Sequence, residues 1–350
     1  MTRTSRLAAF ALALCLSRLA LADDPAPAPQ ATPPQVEQAV DRAIGYLQTE
    51  SAAWMNTRKC ASCHHAGMAF WALSEARRQG YSIDDKFLTE MTEATLGSPE
   101  KMIASGLASG PDTPPDPRPL GRAVNMGTVF LAVAARSLPS LEEGQKQSLK
   151  RIAAVIVEKQ QADGSWEFFL SRPPMNENQA TDAAWILMAL QGETGPDAAE
   201  SSRLALEKGA AWLAGAGLPE NHQEKVLRLL LEARAGKPLD AMQPTIDGLL
   251  AMQRPDGGWS QTTQSKSDAF ATGQTLYALA LAGLTAERPE IRRAVDFLVA
   301  TQAADGSWPM TSRSSPDGKT GGSAKLLTPI TCGASSWAAL GLSKIAPKTP

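Results

Sequence analysis

Two kinds of helical segment alternate along the chain. The first kind is amphipathic, as in RRAVDFLVATQ at 292–302, with apolar side chains at helical spacing on one face. The second kind is apolar almost all round, which is typical of a helix that is buried on every side. Six segments of this second kind share a small or polar start followed by an aromatic or aliphatic run: 69–76, 128–135, 183–190, 225–233, 275–283 and 335–342. Six amphipathic helices outside six apolar helices predict an all-α (α/α)6 toroid over residues 35–346.

A short motif separates the outer helices from the inner ones. The string Q-x-x-D-G-[SG]-W occurs at 160–166, 253–259 and 302–308. Asp-Gly supplies the left-handed turn that ends a helix, so the Gln is predicted to end each outer helix and the Trp to follow the turn. Trp54 keeps the same distance from Gln48 and is assigned to the same turn position. We interpret the tryptophans as packing elements between adjacent hairpins.

The Q-x-x-D-G-S-W string resembles the QW repeat of squalene–hopene cyclases and oxidosqualene cyclases. More broadly, it resembles the prenyltransferase and squalene oxidase repeat. The resemblance covers about residues 35–345. It implies an α/α-toroid in which each Gln and Trp braces a turn against the neighbouring hairpin, but it does not carry an activity with it.

The acid that defines the chemistry of these cyclases is missing. Cyclases of this class protonate an alkene with the central Asp of D-x-D-D-T, which opens an inner helix. The nearest counterpart is QATDA at 179–183, where Thr181 occupies the donor position and only Asp182 matches. A threonine cannot act as this acid, and Asp182 is interpreted as an acid at a helix N-terminus. The Asp-x-Cys zinc pair of related prenyltransferases is absent too, because Ile330 stands two residues before Cys332. Whether the protein is an enzyme therefore stays open.

The first 22 residues have the composition of a targeting segment. Basic Arg3 and Arg6 precede an apolar run at 7–16, and small residues follow at Ala20 and Ala22. We therefore expect 1–22 to be a signal peptide for export, for example to the periplasm. Residues 23–34 are then expected to form a Pro/Ala-rich linker. Because the apolar run is short and soon interrupted by a charge, no transmembrane segment is predicted.

Composition narrows the function classes. The chain is 43% hydrophobic and carries 34 basic against 36 acidic side chains. These values are typical of a globular protein and exclude a disordered chain. A near-neutral balance without a clustered basic face also argues against nucleic acid as a partner.

Cys60, Cys63 and His64 form a C-x-x-C-H motif. It resembles the attachment motif for haem c, in which both thiols form thioethers with haem vinyl groups and the His is the proximal iron ligand. Export fits this interpretation, because attachment of this kind takes place outside the bacterial cytoplasm. Two residues are candidates for the distal ligand: Met126, which starts the second inner helix, and His222, which starts the fourth. Five-coordinate iron is equally open.

Two other chemistries stay open for the same cysteines. Zinc could be held by Cys60, Cys63 and His64 or His65, with Cys332 as a fourth ligand, because the sixth inner helix closes the ring beside the first. Alternatively, Cys60 and Cys63 could form a disulfide, either structural or redox-active.

The sequence therefore predicts an exported haem c protein on a squalene-cyclase-like toroid. Its expected role is electron transfer or haem-based ligand binding, with a periplasmic redox partner or a small apolar ligand. The alternatives are a terpene-cyclase-like or other toroid enzyme, such as a polysaccharide lyase, or a binding module stabilised by zinc or a disulfide. The roles of Cys332 and of the polar loops 109–121 and 309–330 stay open.

Overall fold

The computed structural model describes eleven parts of the chain, and the motif cysteines are outside them. The described residues are 30–58, 65–96, 124–138, 140–168, 171, 173–175, 177–192, 199–216, 221–311, 313 and 324–348; in 324–327 only the backbone is described. The predicted signal peptide, residues 23–29 of the linker, Cys60, Cys63 and His64, and loop 109–121 therefore lie outside the described residues.

Twelve helices occupy the described residues, and outer and inner helices alternate. The outer helices are α1 (Pro33–Arg58), α3 (Asp85–Leu96), α5 (Glu143–Glu158), α7 (Glu200–Gly215), α9 (Leu239–Leu250) and α11 (Pro289–Thr301). The inner helices are α2 (Ala66–Arg78), α4 (Met126–Ala135), α6 (Gln179–Gln191), α8 (His222–Arg234), α10 (Ala269–Leu281) and α12 (Ala324–Ile345). Within these ranges, no helix combines the length and the apolar character that crossing a bilayer requires.

The inner helices form a closed ring. Each inner helix packs against the next one along the chain, and α12 packs against α2. Side-chain contacts show that neighbouring inner helices run in the same direction. Along α12, Cys332 contacts His65 just before α2, and Lys344 contacts Glu75 in the last turn of α2. Similarly, Asn178 contacts Glu224 at the starts of α6 and α8, and Gln191 contacts the carbonyl of Leu231 near their ends. The ring confirms the predicted all-α toroid, which has one mouth at the N-terminal ends of the inner helices and another at their C-terminal ends.

The turn motif connects three of the six hairpins to the hairpin that follows. Gln253 Nε2 donates to the carbonyl of Gly257 within the turn, at 2.8 Å, and to the carbonyl of Glu290 on α11, at 2.7 Å. The buried Trp259 donates from Nε1 to the carbonyl of Leu249, which anchors the turn to its own outer helix. The other two copies repeat these bonds: Gln160 to Gly164 and Ala205, Trp166 to Ile156, Gln302 to Gly306 and Ala39, and Trp308 to Leu298.

Glycine is required in this turn for two reasons. Gly257 has a φ of 86°, a conformation that other residues rarely adopt. A Cβ there would also lie 2.5 Å from the carbonyl oxygen of Arg293 on the next outer helix. The turn therefore packs directly on the neighbouring backbone, and the Gln–Trp bracing implied by the resemblance is present.

Two details differ from the expectations. Trp54 does not occupy a turn: it lies inside α1, which continues to Arg58 because no Asp-Gly follows Gln48 to end the helix. The fourth inner helix, α8, is not apolar all round. Its outward side carries the exposed Arg228, and a groove of about 720 Å³ opens there between α7 and α9.

Replacing one bracing glutamine tests the role of the motif. Gln253→Ala leaves two carbonyl groups without their donor, and we expect the free energy of unfolding to fall by about 1–3 kcal/mol. Gln243→Ala is the matched control, because its amide makes only an exposed bond to Asp247. Urea unfolding of the two variants should separate them clearly. Equal losses of stability would contradict a bracing role for Gln253.

Candidate functional site

Aromatic rings fill the axis of the barrel at the middle of the inner helices. Trp71, Trp185 and Trp337 are fully buried on α2, α6 and α12. Their ring centroids are 5.1 Å apart for Trp71 and Trp337, and 6.0 Å apart for the other two pairs. Three more rings pack on them from α4 and α10: Phe130, Phe270 and Tyr277. Edge-to-face packing of this kind is favourable, and it occupies the space that a substrate cavity would need at this level. The tryptophans of the inner helices are packing elements, as predicted.

The position of the cyclase proton donor has a structural role here. Asn178 caps α6, and its Oδ1 accepts from the backbone N–H groups of Ala180 and Thr181 at 3.0 Å. The fully buried Thr181 hydroxyl donates to the carbonyl of Asn178 and accepts from two backbone N–H groups. Asp182 lies in the first turn of α6, where the helix dipole favours a negative charge. Thr181 therefore closes a capping box and is not free for acid chemistry.

The residue that follows the C-x-x-C-H motif is packed into a defined environment. His65 is fully buried and precedes α2. Its ring stacks on Trp54, with centroids 4.2 Å apart and planes 13° apart. Its Nε2 lies 3.5 Å from Glu50 Oε1, and burial raises the pKa of Glu50. Trp54 and Glu50 lie one turn apart on α1, so this outer helix forms the wall beside the start of α2.

Cys332 is brought to the same place by α12. Its thiol is fully buried and donates to the carbonyl of His65 at 3.7 Å. Burial raises the pKa of this thiol, and the nearby Glu50 raises it further. Cys332 is therefore a protonated thiol at the N-terminal mouth, next to the segment that holds Cys60 and Cys63 in the sequence.

The two candidate distal ligands differ in what surrounds them. Met126 is the half-buried first residue of α4, the helix that packs beside α2. His222 is buried at the start of α8, and its Nε2 lies 2.7 Å from Thr275 Oγ1. Because Thr275 already donates its proton to the carbonyl of Ala271, Nε2 of His222 must be the donor. Burial lowers the pKa of His222 to about 4, so this ring is neutral and committed to a structural hydrogen bond.

A second polar cluster, at the C-terminal mouth, was not predicted from the sequence. Arg78 and Arg234 end α2 and α8, and Arg136 directly follows α4. The signal was present, because three of the predicted inner helices finish at an arginine.

Among the described residues, no group of three or more His, Cys, Asp and Glu side chains is arranged to hold a metal ion. The three predicted haem residues lie outside those residues.

Comparison with known proteins supports the fold. Residues 220–348 match the family model of the squalene-hopene cyclase C-terminal domain. The type II terpene cyclase MstE from Scytonema, solved with its substrate geranylgeranyl dihydroxybenzoate, is similar with 16% identity and a TM-score of 0.52, over 90% of this chain and 98% of that one. A second structure of this cyclase has 15% identity and the same TM-score.

A diterpene enzyme also matches. The ent-copalyl diphosphate synthase from Streptomyces platensis has 17% identity and a TM-score of 0.47, over 78% of this chain. This chain spans half the length of that enzyme. A search of curated proteins gives no match. The chain thus has the toroid fold of type II terpene cyclases.

The buried His222 predicts a specific pH dependence. The unfolded chain binds a proton at His222 below pH 6.5, whereas the folded protein does not until about pH 4. The free energy of unfolding should therefore fall by roughly 3 kcal/mol as the pH is lowered from 6.5 to about 4. His222→Gln should lack this part of the slope, whereas Thr275→Val should keep it because the histidine stays buried. Urea unfolding at several pH values measures both, and an unchanged slope in His222→Gln would overturn the assignment.

Proposed function

We propose that this chain is a toroid without cyclase chemistry that holds one covalent haem c at its N-terminal mouth. Cys60 and Cys63 would form the thioethers and His64 would be the proximal iron ligand. The protein would act in electron transfer or haem-based ligand binding after export to the periplasm. The observation that carries the proposal is the C-x-x-C-H motif, which directly precedes an inner helix of the ring.

The described residues around the motif are compatible with such a group. Only six residues separate Arg58, the end of α1, from His65, so described residues of α1 and the residue before α2 flank the motif on both sides. The ring of His65 is held by Trp54 and Glu50, which leaves His64 as the histidine that can serve as a ligand. When bound, the haem would supply reversible one-electron chemistry or a ligand site at iron.

The surroundings also explain why only two of the three mature cysteines would react. Thioether formation and metal binding both use a thiol that can be reached and deprotonated. Cys332 is buried and its pKa is raised, and its thiol is hydrogen-bonded to the carbonyl of His65. We therefore assign Cys332 a packing role behind the motif. In the zinc alternative Cys332 would instead be the fourth ligand, and it would then have to lose its proton.

Met126 is the better distal candidate of the two. Its thioether sits at the start of α4, beside α2, and it is half-buried at the N-terminal mouth. His222 would have to give up its hydrogen bond to Thr275 and leave a buried position. A thioether is also a familiar soft ligand of haem iron.

Spectroscopy and mass test this proposal directly. The full chain, expressed with a haem c maturation system, should show a reduced α-band and an intact mass that includes covalent haem. Cys60→Ser and Cys63→Ser should each lose a thioether bond, and the double variant should lose the haem mass. Cys332→Ser is the matched control and should keep both signals. A colourless protein with the mass of the bare mature chain would overturn the haem proposal, and metal analysis would then separate the zinc site from a Cys60–Cys63 disulfide.

A second candidate function is that of a terpene-cyclase-like enzyme, and the fold comparisons favour it. The toroid matches MstE over nearly the whole of that chain. Two observations weigh against it, namely the Thr181 capping box and the aromatic layer on the axis. Incubating the purified protein with squalene or with a geranylgeranyl substrate should give no cyclised product. A product that disappears in Asp182→Asn would instead support the cyclase function, because Asp182 is the acid that aligns with the cyclase motif.

A further inference from the structure

The outer wall of the ring is open between α7 and α9, on a side that neither proposed function uses. A groove of about 720 Å³ lies there, with α6 and α8 as its floor. In the three motif turns a glutamine amide donates to the next outer helix. The turn that follows α7, AGLPEN at 216–221, contains no glutamine, so the wall is not braced here in that way. The volume is typical of a site for a small organic molecule.

Apolar side chains form most of the lining. The larger part of this surface comes from Ala184 and Leu187 of α6, Leu206 and Leu213 of α7, and Leu227 and Leu231 of α8. Leu206, Leu213 and Leu231 are only half-buried, and exposed apolar surface of this kind marks a ligand or partner site. The lining follows α8 from Glu224 to Ala235, which corresponds to about 16 Å at the rise of an α-helix. The groove therefore suits an elongated apolar group.

One end of the groove carries two cations that share a single carboxylate. Glu232 is buried, and its Oε1 accepts from Arg228 Nε at 3.4 Å and from Lys237 Nζ at 3.3 Å. Its Oε2 accepts from Thr245 Oγ1 at 3.3 Å. All four residues line the groove. One positive charge at this end is therefore not balanced by Glu232.

The unbalanced charge is accessible from the groove. The other two charged residues of the lining, Glu224 and Lys225, are an acid and a base near the start of α8, so they add no net charge. Arg228 contacts Glu232 through Nε, and its two Nη groups make no hydrogen bond within the described part of the chain. The side chains of Arg228 and Lys237 are 67% and 50% exposed. An anion in the groove can therefore reach both cations.

We propose that this groove is a binding site for a free fatty acid, with the alkyl chain over the leucines of α7 and α8 and the carboxylate at Arg228 and Lys237. The paired Nη donors of a guanidinium match the two oxygens of a carboxylate. One unbalanced positive charge suits a singly charged head group, and one apolar strip suits a single chain. The site does not depend on the haem proposal, because α8 is the fourth inner helix and the C-x-x-C-H motif precedes the first.

Decanoate is the probe for this site. Calorimetric titration of the full chain should give saturable binding of one decanoate per chain. Thermal unfolding should show a Tm that rises with decanoate concentration, because a ligand of the folded state stabilises it. Decanol has the same chain without the charge and should bind at least tenfold more weakly, and acetate should not bind. Absence of decanoate binding, or equal binding of decanol, would overturn the proposal.

Two neighbouring alanines of α7 locate the alkyl chain. Ala210 and Ala211 are both exposed, so a larger side chain at either position should leave the fold intact. Of the two, Ala210 lines the groove. Ala210→Phe should therefore weaken decanoate binding tenfold or more, whereas Ala211→Phe should keep the wild-type affinity. If Ala210→Phe binds decanoate normally, or changes only the oligomeric state in light scattering, the groove holds no fatty acid and the second result assigns it to another copy of the chain.

An arginine pair locates the head group. Arg228→Gln should weaken decanoate binding about tenfold, which corresponds to the loss of one charge-assisted contact, and should leave decanol binding unchanged. Arg228→Lys keeps the charge but loses the paired donors, and it should bind with intermediate affinity. Arg203→Gln is the control, since Arg203 is 54% exposed on α7 and pairs with Glu200 away from the groove. Equal weakening of decanoate and decanol in Arg228→Gln would refute the carboxylate site.

Discussion

The closed ring of inner helices depends on the hydrogen bonds that join the last hairpin to the first. Gln302 follows α11, yet its amide donates to the carbonyl of Ala39 on α1 at 2.8 Å. Gly306 packs on the backbone of Arg42 in the same helix. Without this link α12 would have an open apolar side, since an inner helix is buried only when both neighbours are in place. The three copies therefore work as a set: the two earlier copies link the third hairpin to the fourth and the fifth to the sixth, and the last copy completes the circle.

A closed ring of parallel helices produces two mouths with opposite electrostatic character. Helix dipoles make the N-terminal mouth attractive to negative groups and the C-terminal mouth attractive to positive ones. The side chains follow this rule. Asp182 and Asp268 lie at the starts of α6 and α10, although burial raises the pKa of Asp268 to about 6. Arginines end α2 and α8. The aromatic layer of Trp71, Trp185 and Trp337 separates the two ends, so each mouth can carry its own chemistry.

The sequence predicts those features that local signals determine. The outer and inner helices follow from hydrophobic spacing, and the turns follow from Asp-Gly; Trp54 was misassigned because its Gln lacks that turn. Interactions between distant parts of the chain could not be predicted. The bond of His222 joins it to a residue 53 positions away, and nothing near His222 in the sequence indicates it. The arginine cluster was missed for the same reason, since each arginine resembles an ordinary charged helix end until the ring brings the ends together.

Two features of the inner helices differ from what a cyclase needs. A cyclase must keep its axis open for an apolar substrate and must place a strong acid at the start of an inner helix. Here the corresponding Thr181 is used up in capping α6, and large rings fill the axis. Filling the axis stabilises the ring through tight packing, at the expense of the open space along the axis that a large apolar substrate would need.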